Sequence, residues 1–388
     1  MSAEKRHWDD GIDLRSFSEK CMDGLLALSA AGFAVDESRI LGFYPAVEGN
    51  PFQKMLYARA AEFGFAPVAI NNLDELDACP TALNVVVHFH WVHNVFAKAE
   101  NEAEAQAASD TFLRRAEALK ARGVKLVWTI HNVISHGTRF EKVELELRQK
   151  FADLVDTIHI MNPRTAALCA PVYTLDSHKL LEVPHPSYAG VYGDYISKFQ
   201  ARLDLGLPAG KPVFLLFGSL MPQKGTRQFL QGIGKLQDRF SSEAIVLVAG
   251  KARMGAFYEE VLKLSSGRTD VKLIAGHVGD QDVQSLFKAA DVVVCPYTKG
   301  LNSGVVMTAV SFGRPVVVPS FIMPVLWETD IAVSDFDPSE FDGCYDACLN
   351  AYNAAQDEEL ENRLLAWSRN NSAQQISARF LEGLKARL

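Results

Sequence analysis

Residues 213–225 read VFLLFGSLMPQKG, in which five apolar residues run directly into a turn of small residues and a lysine. A continuous apolar run of this length predicts a strand buried on both faces, as in a parallel sheet covered by helices. The segment that follows, 226–240, is predicted to be a helix. A strand, a small-residue turn and a helix in this order are typical of α/β folds, in which ligands bind beyond the carboxyl ends of the strands.

The same alternation of strand and helix extends from this stretch in both directions. Predicted strands fall at 40–43, 66–70, 83–90, 125–130 and 154–160, and again at 213–217, 244–249, 271–274, 292–295 and 315–318. Two such series predict two doubly wound, Rossmann-like domains with parallel sheets. We place the first domain, with its N-terminal helix, at 1–195 and the second at 196–365. A C-terminal helical segment at 366–388 could cross back to the first domain.

The charge of the chain argues against a nucleic-acid partner. The 388 residues carry a formal net charge of −8, and neither half of the sequence has a basic excess, so the electrostatic footprint of a nucleic-acid-binding protein is absent. The densest basic run, within 114–125, is interpreted as a solvated helix face. Contact of this run with anionic lipid head groups is the alternative interpretation.

Three sequence features indicate a cytoplasmic protein. The six cysteines include no CxxC pair, which favours reduced, structural thiols. The start, MSAEKRHWDD, lacks the apolar segment of a signal peptide. No apolar run approaches the roughly 18–20 residues of a membrane span. A position at the inner face of the membrane remains open.

A second loop suited to an anion follows the predicted strand at 292–295. It reads YTKGLNSG and leads into a predicted helix at 305–312. Asn302 or Ser303 can cap that helix, and Gly304 allows close approach of a ligand to the backbone. The free N–H groups and the positive end of the helix dipole would then face an anion. Two such loops in one domain favour a nucleotide diphosphate over ordinary capped helices.

The motifs FGSLMPQKGTRQFLQG, VAGKARMG, AGHVGDQDVQSLFKAADVVVCPY and LNSGVVMTAVSFGRPVVVP, in this order and spacing, resemble the donor domain of bacterial group-1 glycosyltransferases of the GT-B fold. The upstream segments WTIHN and PHPSYAGVY resemble the acceptor half of the same family. The resemblance implies two domains facing across a cleft and transfer of a hexose from a nucleoside diphosphate sugar. It implies no other cofactor, and an acceptor such as a lipid-linked or growing polysaccharide.

The resemblance also assigns roles to individual residues. His131 would lie near the reacting sugar, on the far side of the cleft from the nucleotide. The family usually carries two glutamates eight residues apart, whereas the positions here fall near Gly300 and at Thr308; Lys299 could supply positive charge instead. The implied donor-binding residues are Gly218, Ser219, Lys224 and Gly225 at the diphosphate, His277 and Val278 at the base, and Asn302, Ser303, Gly304 and Val305 at the phosphates.

The first domain offers its own candidates for acceptor chemistry. Glu48 follows the first strand and could act as a general base, although an exposed loop carboxylate is the plainer interpretation. Gly49 and Asn50 are predicted to contact the acceptor, and His90 is predicted either to contact it or to be a satisfied core histidine. The run HFHWVH at 88–93 has the clustering of a zinc site but no second cluster of ligands, so a metal is not expected.

Two other functions remain open from the sequence. A nucleotide-sugar epimerase shares the two-domain architecture, and a non-catalytic nucleotide-sugar-binding protein would explain the missing glutamates. Without a pair of aspartates in a suitable loop, leaving-group charge would be stabilised by Lys224 and backbone N–H groups, independently of metal.

Overall fold

The computed structural model describes residues 15–47, 49–80, 83–135, 137–252, 254–322 and 333–388. Within these residues the first sheet has six parallel strands in the spatial order β2–β1–β3–β4–β5–β6. Its strands are β1 (Arg39–Tyr44), β2 (Phe65–Ala69), β3 (Val85–Phe89), β4 (Lys125–Thr129), β5 (Thr157–Ile160) and β6 (Leu180–Glu182).

The second sheet, within the same described residues, also has six parallel strands, in the order β12–β11–β10–β7–β8–β9. The order reverses beside β7, so the loops after β7 and β10 lie at a switch point, where ligands bind in open α/β sheets. The strands are β7 (Val213–Phe217), β8 (Ile245–Gly250), β9 (Val271–Ala275), β10 (Val292–Val294), β11 (Val316–Pro319) and β12 (Val333–Phe336).

Helices cover both sheets, and separate apolar clusters fill the space between helices and strands. Local capping fixes several helix starts; Ser16 and Glu19, for example, form a capping box before the first helix. The helices are α1 (Phe17–Ala30), α2 (Phe52–Leu56), α3 (Glu102–Ala121), α4 (Glu141–Leu154), α5 (Thr165–Cys169), α6 (Lys198–Asp204), α7 (Thr226–Gln231), α8 (Ile233–Arg239), α9 (Ala256–Ser265), α10 (Asp280–Ala289), α11 (Gly304–Ser311), α12 (Gly343–Ala354), α13 (Glu358–Asn370) and α14 (Ala373–Lys385).

Two predicted helices are broken in the structure. The sequence after Pro51 predicts a helix over 51–63, but the helix in the structure ends at Leu56, and the N–H of Arg59 donates to the hydroxyl of Ser377 on α14 instead of to a carbonyl of its own helix. The helix predicted at 226–240 is divided at Gly232, where the Tyr345 hydroxyl occupies the space a side chain would need. In both places a contact from a distant segment overrides the local helical pattern.

Two strand predictions also need correction. The strand predicted at 154–160 begins only at Thr157, because α4 continues to Leu154. Pro184, Pro186 and Gly190 predict a linker over 181–207, but this segment contains most of β6, which adds the edge strand of the first sheet. Strand β6 has only three residues and is followed by two prolines, so its apolar signal is weak.

The C-terminal helix α14 packs on the first domain. Its Phe380 ring lies parallel to the His88 ring, with centroids 5.3 Å apart, and Leu384 is buried in the same apolar cluster. Just before α14, the Asn371 carbonyl accepts a hydrogen bond of 2.8 Å from the Ser187 N–H. The chain therefore returns to the first domain after completing the second.

No helix in the described part of the chain is both long and apolar enough to cross a membrane. All six cysteines are buried, and none of them forms a disulfide bond with another.

Candidate active site between the two domains

The loops that follow β7 and β10 are joined to each other. The N–H of Thr298 donates to the carbonyl of Gln223 at 2.9 Å. Gly225 has a positive φ of 70°, and a side chain there would collide with the Pro296 carbonyl, so only glycine fits. The sequence predicted both loops as anion sites, and the structure brings them to one place at the edge of the second sheet.

Lys224 lies between these loops with its charge incompletely satisfied. Its Nζ is 3.8 Å from the centroid of the Tyr297 ring, a cation–π contact. Within the described residues, Nζ forms neither an ion pair nor a hydrogen bond. Burial lowers the pKa of Lys224 from its ordinary value, as expected for a cation removed from water. An anion bound here would provide the ion pair that the ammonium group does not have among the described residues.

The residue that caps α11, Ser303, contacts the same Tyr297 side chain as Lys224. The Ser303 hydroxyl caps the helix by accepting from the Val306 N–H at 3.4 Å, and it lies 3.3 Å from the Tyr297 hydroxyl. The N–H groups of Gly304 and Val305 have no acceptor within the helix, because they belong to its first turn. Gly304 also packs closely against Tyr188. A Cβ at position 304 would lie 2.8 Å from the Tyr188 hydroxyl.

The other predicted donor residues lie around the same edge. Gly218 has a φ of 113°, and its carbonyl occupies the space that a side chain at Gly250 would fill, so the ends of β7 and β8 are pressed together. Ser219 and His277 are exposed, and Val278 is half-buried against the core of the second domain.

The segment from Lys299 to Asn302 reaches the first domain. Leu301 is fully buried in the core of the first domain, and its carbonyl lies 3.3 Å from Nδ2 of Asn162. Nδ2 of Asn302 donates to the His131 carbonyl at 3.3 Å, so this side chain bridges the two domains. Lys299 remains exposed.

His131 follows β4 and lies opposite the start of α11, because its carbonyl accepts a hydrogen bond from Asn302. Its ring stacks on Trp91, with centroids 4.2 Å apart, and meets Phe52 edge-on at 5.0 Å. Its Nε2 lies 3.1 Å from Nδ1 of His90. Burial and neighbouring histidines, His90 first among them, hold the pKa of His131 well below its usual range, so the ring is neutral near pH 7.

The predicted acceptor residues are dispersed. His90 is buried, and its second ring nitrogen is taken by the Tyr57 hydroxyl at 2.8 Å, so it faces His131 and not the cleft. Gly49 is exposed, and the Asn50 side chain accepts from the Phe52 N–H at 3.0 Å, a local turn contact. Glu48 lies outside the described residues.

A cavity of about 670 Å³ opens between the domains, beside His131. One wall is the loop after β4, which includes Asn132 and Ser135, and the other includes Gln228 and Lys299. The Oε1 atom of Gln228 is buried without a hydrogen-bond partner in the described part of the chain. A buried acceptor in that state favours a ligand that can donate an N–H or O–H.

The loop after β4 rests on a buried ion pair between Glu144 and Arg148, 2.8 Å apart. Ser135 donates to Glu144 from its N–H and its hydroxyl, and Arg148 donates to the Asn132 carbonyl at 3.1 Å. This wall of the cleft was not predicted from the sequence. The pair Glu144 and Arg148, spaced four apart on a helix with an otherwise apolar inner face, was the available signal.

No group of three or more histidine, cysteine or carboxylate side chains in the described residues is arranged to hold a metal ion. The histidines near β3 and β4 instead use their ring nitrogens to bond one another and neighbouring hydroxyls.

Part of the sequence resembles known glycosyltransferases. Residues 211–349 match the family model for group 1 glycosyl transferases. An uncharacterized glycosyltransferase of Methanocaldococcus jannaschii is 28% identical over 123 residues, which are 32% of this chain and 31% of that protein. The match therefore spans about a third of the length of this curated relative.

Solved structures share the fold across most of the chain. Anabaena HepE in complex with UDP-glucose superposes with a TM-score of 0.60 at 15% identity, over 90% of this chain and 99% of that one. Sucrose-phosphate synthase from Thermosynechococcus elongatus gives a TM-score of 0.56 at 14% identity, over 90% and 94%. The expected GT-B architecture is confirmed. Residues 211–349 therefore resemble the group 1 glycosyl transferases in sequence, and the chain shares the two-domain GT-B fold of these solved structures.

Proposed function

We propose that this protein is a glycosyltransferase that moves a hexose from a nucleoside diphosphate sugar to a hydroxyl of a saccharide or lipid-linked saccharide. The observation that carries the proposal is that Lys224 and the cap of α11 contact the same side chain, Tyr297, while Asn302 bonds to the His131 carbonyl across the cleft. Among the described residues, Lys224 has no anionic partner and the first N–H groups of α11 have no acceptor, a combination that suits a diphosphate. The structure of HepE with UDP-glucose supports the same class of donor.

Transfer of the sugar leaves a nucleoside diphosphate, whose new negative charge must be stabilised. Lys224 and the N–H groups of Gly304 and Val305 would supply that stabilisation from fixed positions, which is the most effective arrangement for developing charge. Lys299, exposed on the same loop, could add to it. No metal ion is required in this scheme.

The acceptor would enter through the cavity beside His131. Polar side chains in its lining, such as Asn132, Ser135 and Gln228, suit a molecule with hydroxyl groups. Oε1 of Gln228, which has no hydrogen-bond partner among the described residues, would accept a hydrogen bond from one of those hydroxyls. The position of the cavity, between the loop after β4 and the start of α7, supports entry of the acceptor from this side.

We further propose that the protein works in the cytoplasm in the synthesis of a polysaccharide, where a lipid-linked acceptor would bring it to the inner face of the membrane. The basic residues of α3 offer little unpaired positive charge for contact with anionic lipids. Arg115 is paired with Asp74 and Asp77, and Lys120 with Asp156, so part of its charge is already neutralised.

The test is a donor screen in two stages. Thermal unfolding would first be measured with a panel of nucleoside diphosphates, because a ligand at a hundred times its Kd stabilises the folded state by roughly 2.7 kcal/mol. The matching sugar nucleotides would then be assayed for transfer to saccharide acceptors. Binding without turnover would indicate a sensor, and sugar conversion without an acceptor would indicate an epimerase. Failure of every nucleoside diphosphate to bind would overturn the proposal.

A further inference from the structure

A continuous chain of hydrogen bonds runs from His131 into the core of the first domain. It crosses three strands and ends on a backbone carbonyl, and its inner side chains are all buried. The contacts are His131 Nε2 to His90 Nδ1 at 3.1 Å, His90 Nε2 to the Tyr57 hydroxyl at 2.8 Å, the Tyr57 hydroxyl to His88 Nδ1 at 2.8 Å, His88 Nε2 to Thr129 Oγ1 at 2.6 Å, Thr129 Oγ1 to His159 Nδ1 at 2.9 Å, and His159 Nε2 to the Val183 carbonyl at 2.9 Å.

The inner end of this chain fixes the direction of its hydrogens. A carbonyl only accepts, so His159 must carry its proton on Nε2. Burial lowers the pKa of His159 to about 4, so the ring is neutral and its Nδ1 is an acceptor. Thr129 has one hydroxyl hydrogen, which must go to that Nδ1. The hydroxyl oxygen then accepts from Nε2–H of His88.

The same reasoning continues outward to the cleft. Burial lowers the pKa of His88 and His90 well below the usual range and raises that of Tyr57, so both rings are neutral and the phenol keeps its proton. Nδ1 of His88 therefore accepts from the Tyr57 hydroxyl, and that oxygen accepts from Nε2–H of His90. Nδ1 of His90 must then accept from His131, which places the proton of His131 on Nε2.

We propose that this one-way chain holds His131 as the Nε2–H tautomer, so that its Nδ1 lone pair accepts a hydrogen bond from a substrate hydroxyl in the cleft. The ring is fixed by the stack on Trp91 and the edge of Phe52. No described residue is bonded to Nδ1 of His131. Tyr57, His88, His90, Thr129 and His159 are positioning residues that act through His131.

The assignment to a substrate hydroxyl rests on the proposed function, but the tautomer does not. With the other tautomer, or with a charged ring, Nδ1 would carry a hydrogen and could only donate. A sugar hydroxyl can adapt to either partner, whereas the Asn302 bridge and the α11 N–H groups opposite His131 are all donors. An unprotonated Nδ1 on His131 therefore places an acceptor opposite these donors.

Nitrogen NMR reads the tautomer directly. In protein labelled with 15N-histidine, the His131 signals, identified by their loss in His131→Ala, should show a protonated Nε2 and an unprotonated Nδ1 without any substrate present. A protonated Nδ1 would overturn the inference, whatever the activity. The same tautomer in a protein that transfers no sugar would leave the inference standing and count against the proposed function.

Variants at Thr129 separate the hydrogen-bond chain from simple packing. Thr129→Ser keeps the hydroxyl and loses a methyl group, whereas Thr129→Val keeps the shape and loses the hydroxyl. We expect Thr129→Ser to retain the wild-type tautomer and kcat, and Thr129→Val to give a mixed tautomer and a kcat lower by about five- to tenfold, from the loss of one hydrogen bond. The reverse order, with valine active and serine impaired, would assign Thr129 to packing and overturn the chain.

Tyr57→Phe interrupts the chain one step closer to His131. We expect kcat to fall about tenfold while KM for the donor and Kd for the nucleoside diphosphate are unchanged. Ser38→Ala is the control, since it removes another buried hydroxyl of the first domain, one that donates to the Ala34 carbonyl outside the chain. Equal effects of Tyr57→Phe and Ser38→Ala, or a change confined to Kd, would contradict the positioning role.

Discussion

The two walls of the cleft are both built at the carboxyl ends of parallel strands, yet their polar groups are satisfied in opposite ways. On the first domain, His88, His90 and His159 have both ring nitrogens occupied, and all three rings are buried. On the second domain, Lys224 rests on an aromatic ring without an ion pair or hydrogen bond among the described residues, and the first turn of α11 offers free N–H groups.

The buried polar groups behind the first wall therefore have their hydrogen-bond partners before substrate binds. The cation and N–H groups of the second wall obtain their partners only when a ligand binds. A fully satisfied buried network is rigid and fixes the orientation of the group at its end. A cation and helix N–H groups without an acceptor leave binding energy for an anion. Changes on the first wall should therefore alter turnover, and changes on the second should alter nucleotide affinity.

The largest effect is expected from His131→Ala. Because His131 would meet the reacting sugar while the nucleotide sits on the other domain, kcat and kcat/KM should fall together by roughly a hundredfold, about 2.7 kcal/mol of transition-state stabilisation. Steady-state kinetics and calorimetry with the nucleoside diphosphate are the measurements. His178→Ala, at an exposed histidine of the same domain, is the control. A fully active His131→Ala would remove the histidine from the site.

Lys224→Ala should produce the complementary result. Loss of a charge-assisted contact is expected to weaken nucleoside diphosphate binding by about 1.5–3 kcal/mol, with little change in the free energy of unfolding. Calorimetric titration measures the affinity. Lys235→Ala removes a lysine that is paired with Asp342 on the surface of the same domain and should leave the affinity unchanged. Equal affinities for Lys224→Ala and the wild type would exclude Lys224 from the diphosphate site.

The buried histidines of the first wall predict a dependence of stability on pH. Burial lowers the pKa of His159 and of His185 to about 4, whereas in the unfolded chain each titrates near its ordinary value of about 6.5. Between these values the unfolded state binds more protons, so the free energy of unfolding should fall as the pH falls from 7 to 5. Each such histidine contributes up to about 1.4 kcal/mol per pH unit.

Urea unfolding at pH 7, 6 and 5 measures this dependence. His159→Gln, which replaces the ring with a neutral amide able to donate to the Val183 carbonyl, should reduce the slope by one histidine's contribution. Stability that is constant or rises towards pH 5 would contradict the assignment of neutral, buried rings.

Much of the second domain could be predicted from sequence because its signals are local. The apolar run at 213–217 and the glycines at 218 and 225 lie next to each other, and the strand-end rule then located Lys224 and Gly304. Broken helices were not predictable in the same way. The Tyr345 hydroxyl that divides α7 from α8 comes from more than a hundred residues away, and no local sequence pattern predicts this contact.

The histidine chain shows the same limit within the candidate site. The alternation of β3 placed His88 and His90 on one face of the strand. Their partners, Tyr57, Thr129 and His159, come from three other segments that only the fold brings together. The burial of Leu301 in the core of the first domain likewise depends on how the two domains meet, which hydrophobic periodicity within either domain does not encode.

The smallest effect is expected from removing metal ions, and it tests whether the second wall is sufficient as it stands. If Lys224 and the first turn of α11 carry the charge of the leaving diphosphate, treatment with EDTA should leave kcat and KM unchanged. A magnesium-dependent enzyme would lose activity and regain it with added magnesium or manganese, because the metal would then provide that stabilisation.

A sharper experiment repeats the EDTA treatment on the Lys224→Ala variant. With the lysine absent, added magnesium could partly neutralise the diphosphate and raise the low activity of the variant, while the wild type shows no response. Activity of the wild type that is abolished by EDTA and restored by magnesium would mean that the cation of the second wall is a metal ion, and that Lys224 only assists it.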